Sequence, residues 1–395
     1  MSTRTRLRSP WRRSVTTCVW VGVTTVLAVG AVPLSAAHAD SHVVPSQLDS
    51  TRVDCVEADG RVEDIKILGS TVYVGGQFSS VSAGGTTYSR SRAAAFDLAT
   101  CTVLPWNPSV VGTVLAIAPT SSAVYLGGDI SSVGGQSRSN LAAVDPVTGA
   151  VSAFSPTVKG SVAELVTSAS RLYAAGGIRK VDGQQRSKAA AFSLGTGTLD
   201  AGWHPAADSQ VKGLAVSPDA TRVYLAGSFD TINGTAARHL AAVGAADGEL
   251  DPGFDPELRV KATEILAVGS QVVVAFAGPG GQVGVMDTTG VLQASAQVNG
   301  NAQAVAVAGA EVFAGGHFGK YCGTSGSSCT DFTKRRKALS VDTGTSALTD
   351  FHPRLNSALG VWAMAYDPGT RRLVVGGDFT KSGSRPTAHL AVFGS

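Results

Sequence analysis

Seven glycine-centred hinges recur about every fifty residues, and a sustained period of that size constrains this chain more than any other feature. They read Gly75-Gly76-Gln77-Phe78, Gly127-Gly128-Asp129-Ile130, Gly176-Gly177-Ile178, Ala226-Gly227-Ser228-Phe229, an eroded Ala277-Gly278, Gly315-Gly316-His317-Phe318 and Gly376-Gly377-Asp378-Phe379. Each follows a β-rich stretch. Length alone would suggest two or three domains for 395 residues. The repeats override that, because they run from residue 60 to 395 without a linker.

Residues 211–256 are the clearest copy. Val211–Val216 reads as a first strand and Ser217-Pro218-Asp219 as a turn. Arg222–Gly227 reads as a second strand, and a loop holding Asn233-Gly234 leads to a third at His239–Val243. Asp247-Gly248 is a tight-hairpin signal, and Glu249–Phe254 is a short fourth strand whose proline belongs at a sheet edge. The other copies repeat these columns. Tyr73, Tyr125, Tyr173, Tyr224, Val273, Phe313 and Val374 share a place in the second strand, and an aromatic-x-Pro step, as in Trp106-Asn107-Pro108 and Trp203-His204-Pro205, closes most copies.

Four-stranded antiparallel units too thin to bury both faces must stack, and radial stacking gives a β-propeller. The expectation is an all-β, seven-bladed β-propeller of four-stranded blades spanning residues 51–395. The chain stops after the third strand of its last copy, so residues 51–57 are expected to supply the missing strand and close the last blade.

Residues 1–39 differ in kind. Five arginines (4, 6, 8, 12 and 13) precede an apolar run from Val19 to Val32 and an Ala37-His38-Ala39 cleavage pattern. That is the pattern of a secretory signal peptide, shorter than a membrane span. Residues 40–50 form a short lead-in. A secreted, extracellular protein with no membrane span after cleavage is expected. The whole chain carries 32 basic and 29 acidic residues. Loss of the leader's five arginines leaves 27 against 29, a net of −2, which gives no pull toward nucleic acid. The mature chain retains Cys55, Cys101, Cys322 and Cys329. An even count in an exported chain points to disulfides, Cys322 with Cys329 in one loop and Cys55 with Cys101, rather than to a metal site.

The motif set resembles the delta-60 repeat family of bacterial β-propellers. Tyr125-Leu126-Gly127-Gly128-Asp129-Ile130, Val133-Gly134-Gly135-Gln136-Ser137-Arg138, Leu141-Ala142-Ala143 and Thr148-Gly149 carry the likeness best. It covers nearly all of the mature chain, except that copy five lacks the hinge and copy six holds an insertion. Kelch repeats, which share the double glycine, are a more distant match. The resemblance implies a secreted propeller and brings no catalytic residues.

Two features stand out as candidate sites. Aligned inner-strand starts place Asp64, Glu164 and Glu264 in one column, where other copies have Ala116, Gly213, Ala304 and Ala363. Carboxylates on alternate blades around an axis could hold a hard cation, serve as acid and base on a glycan, or line a hydrated channel. The copy-six loop adds Tyr321, Phe332, Lys334, Arg335 and Arg336, a stapled aromatic and cationic element suited to an anionic wall polymer or a partner protein. Recurrent arginines (Arg92, Arg138, Arg186, Arg238, Arg385) read as structural. Histidines repeat in pairs on different blades, His204 with His352 and His239 with His389, which argues against one metal cluster. There is no G-x-S-x-G, no H-E-x-x-H and no phosphate-binding Gly-Lys loop. The reading is therefore a monomeric binding or scaffolding module at the cell exterior, with a cell-wall glycan or protein partner and no cofactor or metal. A carbohydrate-active enzyme using the channel-mouth carboxylates is the alternative.

Overall fold

Short β-branched and aromatic runs, each ended by a glycine turn, pair with their immediate sequence neighbours. A computed structural model describes residues 43–256, 260–278, 280–323 and 329–394, and among these the chain is all β, with no helix. Within that range no helix is long and apolar enough to cross a membrane. The expected leader lies outside the described residues.

Seven larger antiparallel sheets follow one another along the chain. Their innermost strands are Val62–Leu68, Val110–Pro119, Val162–Thr167, Val211–Val216, Ala262–Val268, Asn301–Ala308 and Val361–Asp367. Each lies against the innermost strand of the next sheet, and Val361–Asp367 lies against Val62–Leu68. Apolar clusters consequently sit between sheets. One joins Tyr73, Ala93 and Ala95 of the first sheet to Val114, Ile117 and Leu126 of the second, and another joins Val374 and Leu390 of the seventh to Val62 and Val74 of the first.

The glycine hinge is explained by that stacking. A Cβ added at Gly75 would stand 2.5 Å from Val114 of the next sheet, and one at Gly127 would stand 2.6 Å from Val162. Gly376 of the seventh sheet meets Val62 of the first in the same way, at 2.6 Å. The second glycine of the pair faces its own innermost strand, where a Cβ at Gly76 would strike the Arg61 carbonyl. A methyl at the first glycine would have to displace the facing valine and one at the second would have to displace backbone; in the third, fourth and fifth sheets Ala175, Ala226 and Ala275 stand at the first position.

Four-stranded units are complete in only three sheets. Thr102–Val103 and Leu292–Gln297 are the fourth strands of the first and fifth, and Arg52–Val53 fills that place in the seventh. In the second, third, fourth and sixth sheets the fourth strand shrinks to one bridge, Val144↔Val151, Phe192↔Leu199, Val243↔Leu250 and Val341↔Leu348. An aromatic-x-Pro step follows this place in the first, second, third, fourth and sixth copies. Its ring turns inward instead of continuing the ladder, and packs edge-on against the second-strand aromatic of its own copy. Tyr73 meets Trp106 at 5.2 Å between centroids, Tyr173 meets Trp203 at 4.9 Å, and Phe313 meets Phe351 at 5.0 Å. Trp106 Nε1 then donates to the Asp145 carbonyl and Trp203 Nε1 to that of Gly244, so each ring plug is tied to the following sheet.

The expected loops between second and third strands hold miniature hairpins instead. Lys180–Val181 pairs with Gln184–Gln185, and Thr231–Ile232 with Thr235–Ala236. Positive φ at both turn residues, Asp182 and Gly183 or Asn233 and Gly234, is the two-residue hairpin geometry. The arginine that follows acts as a clamp. Arg138 donates to the Ser137 and Ser152 carbonyls, and Arg90, Arg186 and Arg335 repeat this offset. Arg92, Arg238 and Arg385 fall outside that set.

At the amino end, Val44 bridges Thr349 in parallel and Glu311 accepts from Ser46 Oγ and Gln47 N–H. The chain then crosses to the seventh sheet, where Arg52 pairs with Phe393 and Val53 with Val392. Cys55 is bonded to Cys101 in the turn after the third strand of the first sheet, with Cα atoms 4.9 Å apart. Cys322 is bonded to Cys329.

Candidate functional site

Every innermost strand carries a β-bulge at the same step, and these bulges build the site. The register skips between Val62 and Asp64, Val162 and Glu164, Val211 and Gly213, Ala262 and Glu264, Ala302 and Ala304, and Val361 and Ala363, with the matching shift at Gly127/Gly128. A bulge leaves one residue unpaired and re-aims it. Here those residues are Glu63, Leu115, Ala163, Lys212, Thr263, Gln303 and Trp362, and all of them line one cavity of about 640 Å³. Immediately after the bulge come Asp64, Glu164 and Glu264, paired with Gly75, Ala175 and Ala275 at equivalent register. The column read from sequence is therefore one layer of the cavity wall. The bulge ring above it was missed, because one unpaired residue per strand leaves no periodic signal.

The carboxylates share a cation that sequence reasoning also missed. Lys66 Nζ lies 3.1 Å from Asp64 Oδ1 and 3.2 Å from Glu164 Oε1. Asp64 is otherwise held by the Ile65 N–H at 2.8 Å and the Ile117 N–H of the next sheet at 2.6 Å. The ammonium thus occupies the place where a bound hard cation was conceivable. Among the described residues, no group of three or more His, Cys, Asp or Glu is arranged to hold a metal. A signal for Lys66 existed. It stands two residues beyond Asp64, on the same strand face, in a register column otherwise filled by Ala118, Val166, Ala215, Leu266, Ala306 and Ala365.

Burial dominates the electrostatics. It opposes the charge on Lys66, yet Asp64, Glu164 and Glu264 outweigh it and hold the ammonium well above its usual range. Burial lifts Glu164 well above the ordinary carboxyl value, partly offset by Lys66. Glu264 is raised by burial to about 7, with Lys66 pulling down and Asp64 pushing up. At the mouth, Glu63 is also raised by burial, against the pull of Arg61, whose Nε lies 2.7 Å from it. Arg61 in turn stands 5.2 Å over the Trp362 ring. The far mouth is apolar, lined by Ile67, Leu266, Val307 and Tyr366.

The copy-six residues lie apart from this cavity. Tyr321 is 5 % exposed and packs in the core cluster of the fifth and sixth sheets, because its hairpin with Thr333 folds back on Val298. Arg335 is 7 % exposed and spends its donors on the Lys334 and Thr349 carbonyls as one of the clamps. Neither faces outward as a recognition surface would require. Phe332, Lys334 and Arg336 are exposed, with Lys320 Nζ 3.6 Å above the Phe332 ring. His239 and His389 occupy a recurrent positive-φ position before the third strand and contact the Phe229 and Gly377 carbonyls. His352 is lowered to about 4 by burial and by Arg335, Arg354 and Arg336.

No family model matches the chain, and no curated protein matches it. Solved structures do. The WD40 β-propeller domain of Doa1 aligns with a TM-score of 0.55 at 12% identity, covering 87% of this chain and 96% of that one. The computationally designed Ika8 protein aligns with a TM-score of 0.56 at 13% identity, covering 88% and 100%. At such identity the likeness concerns architecture alone: the fold is a β-propeller.

Proposed function

We propose that this protein is an exported binding module whose seven sheets close into a ring, and whose axial channel takes a small ligand. The single observation that carries the reading is the cavity of about 640 Å³ walled by the bulge residues of all seven innermost strands. That size suits a small-molecule site, with a few polar groups set among apolar walls. Closure is supported by the Arg52–Phe393 pairing and by Val62 seated against Gly376. Export is supported by the leader pattern and by two disulfides of the kind that persist outside the cytosol. The repeat motifs favour the delta-60 family, and the partner is a component of the cell exterior, a wall glycan or a protein. A carbohydrate-active enzyme fits less well, because Lys66 stands between Asp64 and Glu164, where a scissile bond and its water would need room.

The test is retention of the purified mature protein on isolated cell-envelope fractions of the producing organism. Wild type is expected to be retained, and an Ala363→Phe variant, which fills the cavity, is expected to be released while keeping its circular dichroism. Full retention of that variant contradicts a channel site.

A further inference from the structure

The seam between the second and third sheets lacks the ties that close its neighbours. Between the first and second sheets, Trp106 Nε1 donates to the Asp145 carbonyl and the Tyr73 hydroxyl to that of Pro146. Between the third and fourth, Trp203 Nε1 donates to the Gly244 carbonyl, and the Tyr173 hydroxyl and Arg171 to that of Ala245. Arg222 and Arg372 reach across two further seams from the place Arg171 holds. In the second copy Ala123 stands in that place, and Phe154 stands where the two tryptophans do. Of the five aromatic-x-Pro rings, Phe154 alone stays partly exposed. The Tyr125 hydroxyl has no hydrogen-bond partner among the described residues, yet it is not one of the atoms shielded from solvent.

A cavity of about 730 Å³ results, with Tyr125, Phe154, Pro156, Leu194 and Leu199 among its walls. That volume lies inside the range of roughly 300–1,000 Å³ usual for small-ligand sites. The rings meet edge-on, Phe154 standing 5.4 Å from Tyr125 and 5.7 Å from Phe192 of the third sheet. Around them the polar lining is mostly hydroxyl, from Ser122, Ser152, Thr196 and Thr198, with an amide from Gln184. Thr196 and Thr198 place their oxygens 2.7 Å apart, so one proton is shared between them and the other is free to donate onward. Asp182 is the one charged residue in the lining, and its Oδ1 already accepts from the Thr157 N–H at 2.7 Å. No Lys, Arg or His lines the cavity among the described residues. An anionic ligand would therefore find no counter-charge. A wholly apolar ring would fill the space but strip water from Tyr125 and the rim hydroxyls without replacing it. A polyhydroxylated ring offers a C–H face to the aromatic and leucine walls, and hydroxyls that both donate and accept around its edge.

We propose that the seam between the second and third sheets binds a neutral saccharide, packed on Phe154 and hydrogen-bonded by Tyr125 and the hydroxyl rim. This site is separate from the axial channel, since the two cavities share no lining residue. It does not rest on the channel being a ligand site.

Titration calorimetry of the mature protein tests this with cellobiose, maltose and N,N′-diacetylchitobiose, against digalacturonate as an anionic sugar and N-acetyltryptophanamide as a protein side chain. At least one neutral disaccharide is expected to bind with a Kd of about 1 mM or tighter, ahead of both controls. Phe154→Trp, which restores the indole of the neighbouring seams and fills the cleft, should weaken that binding at least about tenfold. Tyr125→Phe keeps the ring, loses the hydroxyl and should weaken it by about three- to tenfold, the scale of one neutral hydrogen bond. Ala363→Phe, in the channel, should leave it unchanged. Absence of binding by all three neutral disaccharides overturns the proposal, as does tighter binding of either control. Saccharide binding that survives Tyr125→Phe undiminished, or that is lost with Ala363→Phe, also overturns it, and the first of these decides even where Phe154→Trp does not fold. Envelope retention of the channel variant is read in saturating disaccharide, so that failure at one site is not mistaken for failure at the other.

Discussion

Lys66 and Glu264 are the two residues whose charges most shape this molecule. Removing Lys66 leaves Asp64 and Glu164 facing each other with no counter-ion. Lys66→Met should destabilise by about 2–4 kcal/mol at pH 8, below the full cost of breaking a buried pair because the ammonium is partly open to channel water. Urea unfolding at pH 8 and pH 5 checks this, and the loss should shrink in acid as the carboxyls take up protons. Glu264 acts with the opposite sign. Its folded pKa of about 7 exceeds the ordinary value of 4.5, so the folded state binds more protons than the unfolded one between those limits. Stability contributed by this group falls as pH rises from about 4.5 to 7 and is flat above. The charged groups facing it are Lys66 and Asp64 of the first sheet and Glu164 of the third. Glu264→Gln should accordingly stabilise by on the order of 1–2 kcal/mol at pH 8 and change little at pH 5. A melting temperature that moves equally at both values would show that burial is not the cause.

The sheet element repeats around a small residue, glycine or alanine, followed in six of the seven sheets by glycine. Gly376→Ala drives a methyl toward Val62 and should cost about 1–3 kcal/mol, whereas Gly319→Ala, with nothing within 4 Å, should leave chemical denaturation nearly unchanged. Much of the element was legible in the sequence. The tyrosine column, the inner-strand carboxylates and the hairpin turns all stand at equivalent register. Other parts had no readable signal. Two-residue strands such as Lys180–Val181 are shorter than any period. The positive-φ position before the third strand is held by Arg92, Asn140, Lys188, His239, Lys337 and His389. Those residues share no chemistry, because the surrounding turn dictates the backbone there. The fourth strand was overestimated, since a ring that plugs the gap between sheets reads in sequence as one more apolar residue of a ladder. In the third copy the paired positions are Ala175 and Gly176, one residue before the Gly176-Gly177 doublet that catches the eye.

At the scale of the whole molecule, the ends carry the argument. The joint between tail and head is only two residue pairs long, so the cross-link beside it matters. In a chain-entropy account, a bridge spanning 46 residues contributes up to about 4 kcal/mol. Cys55→Ser with Cys101→Ser should therefore lower the melting temperature by several degrees or more, while Cys322→Ser with Cys329→Ser, spanning 7 residues, should matter less. The copy-six decoration could be seen in the sequence as an insertion, but its anchoring could not. Tyr321 looked like a surface aromatic because nothing local announces that Val298 of the preceding sheet covers it.

Closure of the ring is most directly tested by native-state hydrogen exchange at the joint. If the seven sheets form one closed unit, the amides of Val53 and Val392 should exchange only through global unfolding, with protection matching that of Val74 in the first sheet. Exchange at Val53 and Val392 many-fold faster than at Val74, on the timescale of exposed loops, would mean that the joint opens independently and that the ring is not closed in solution.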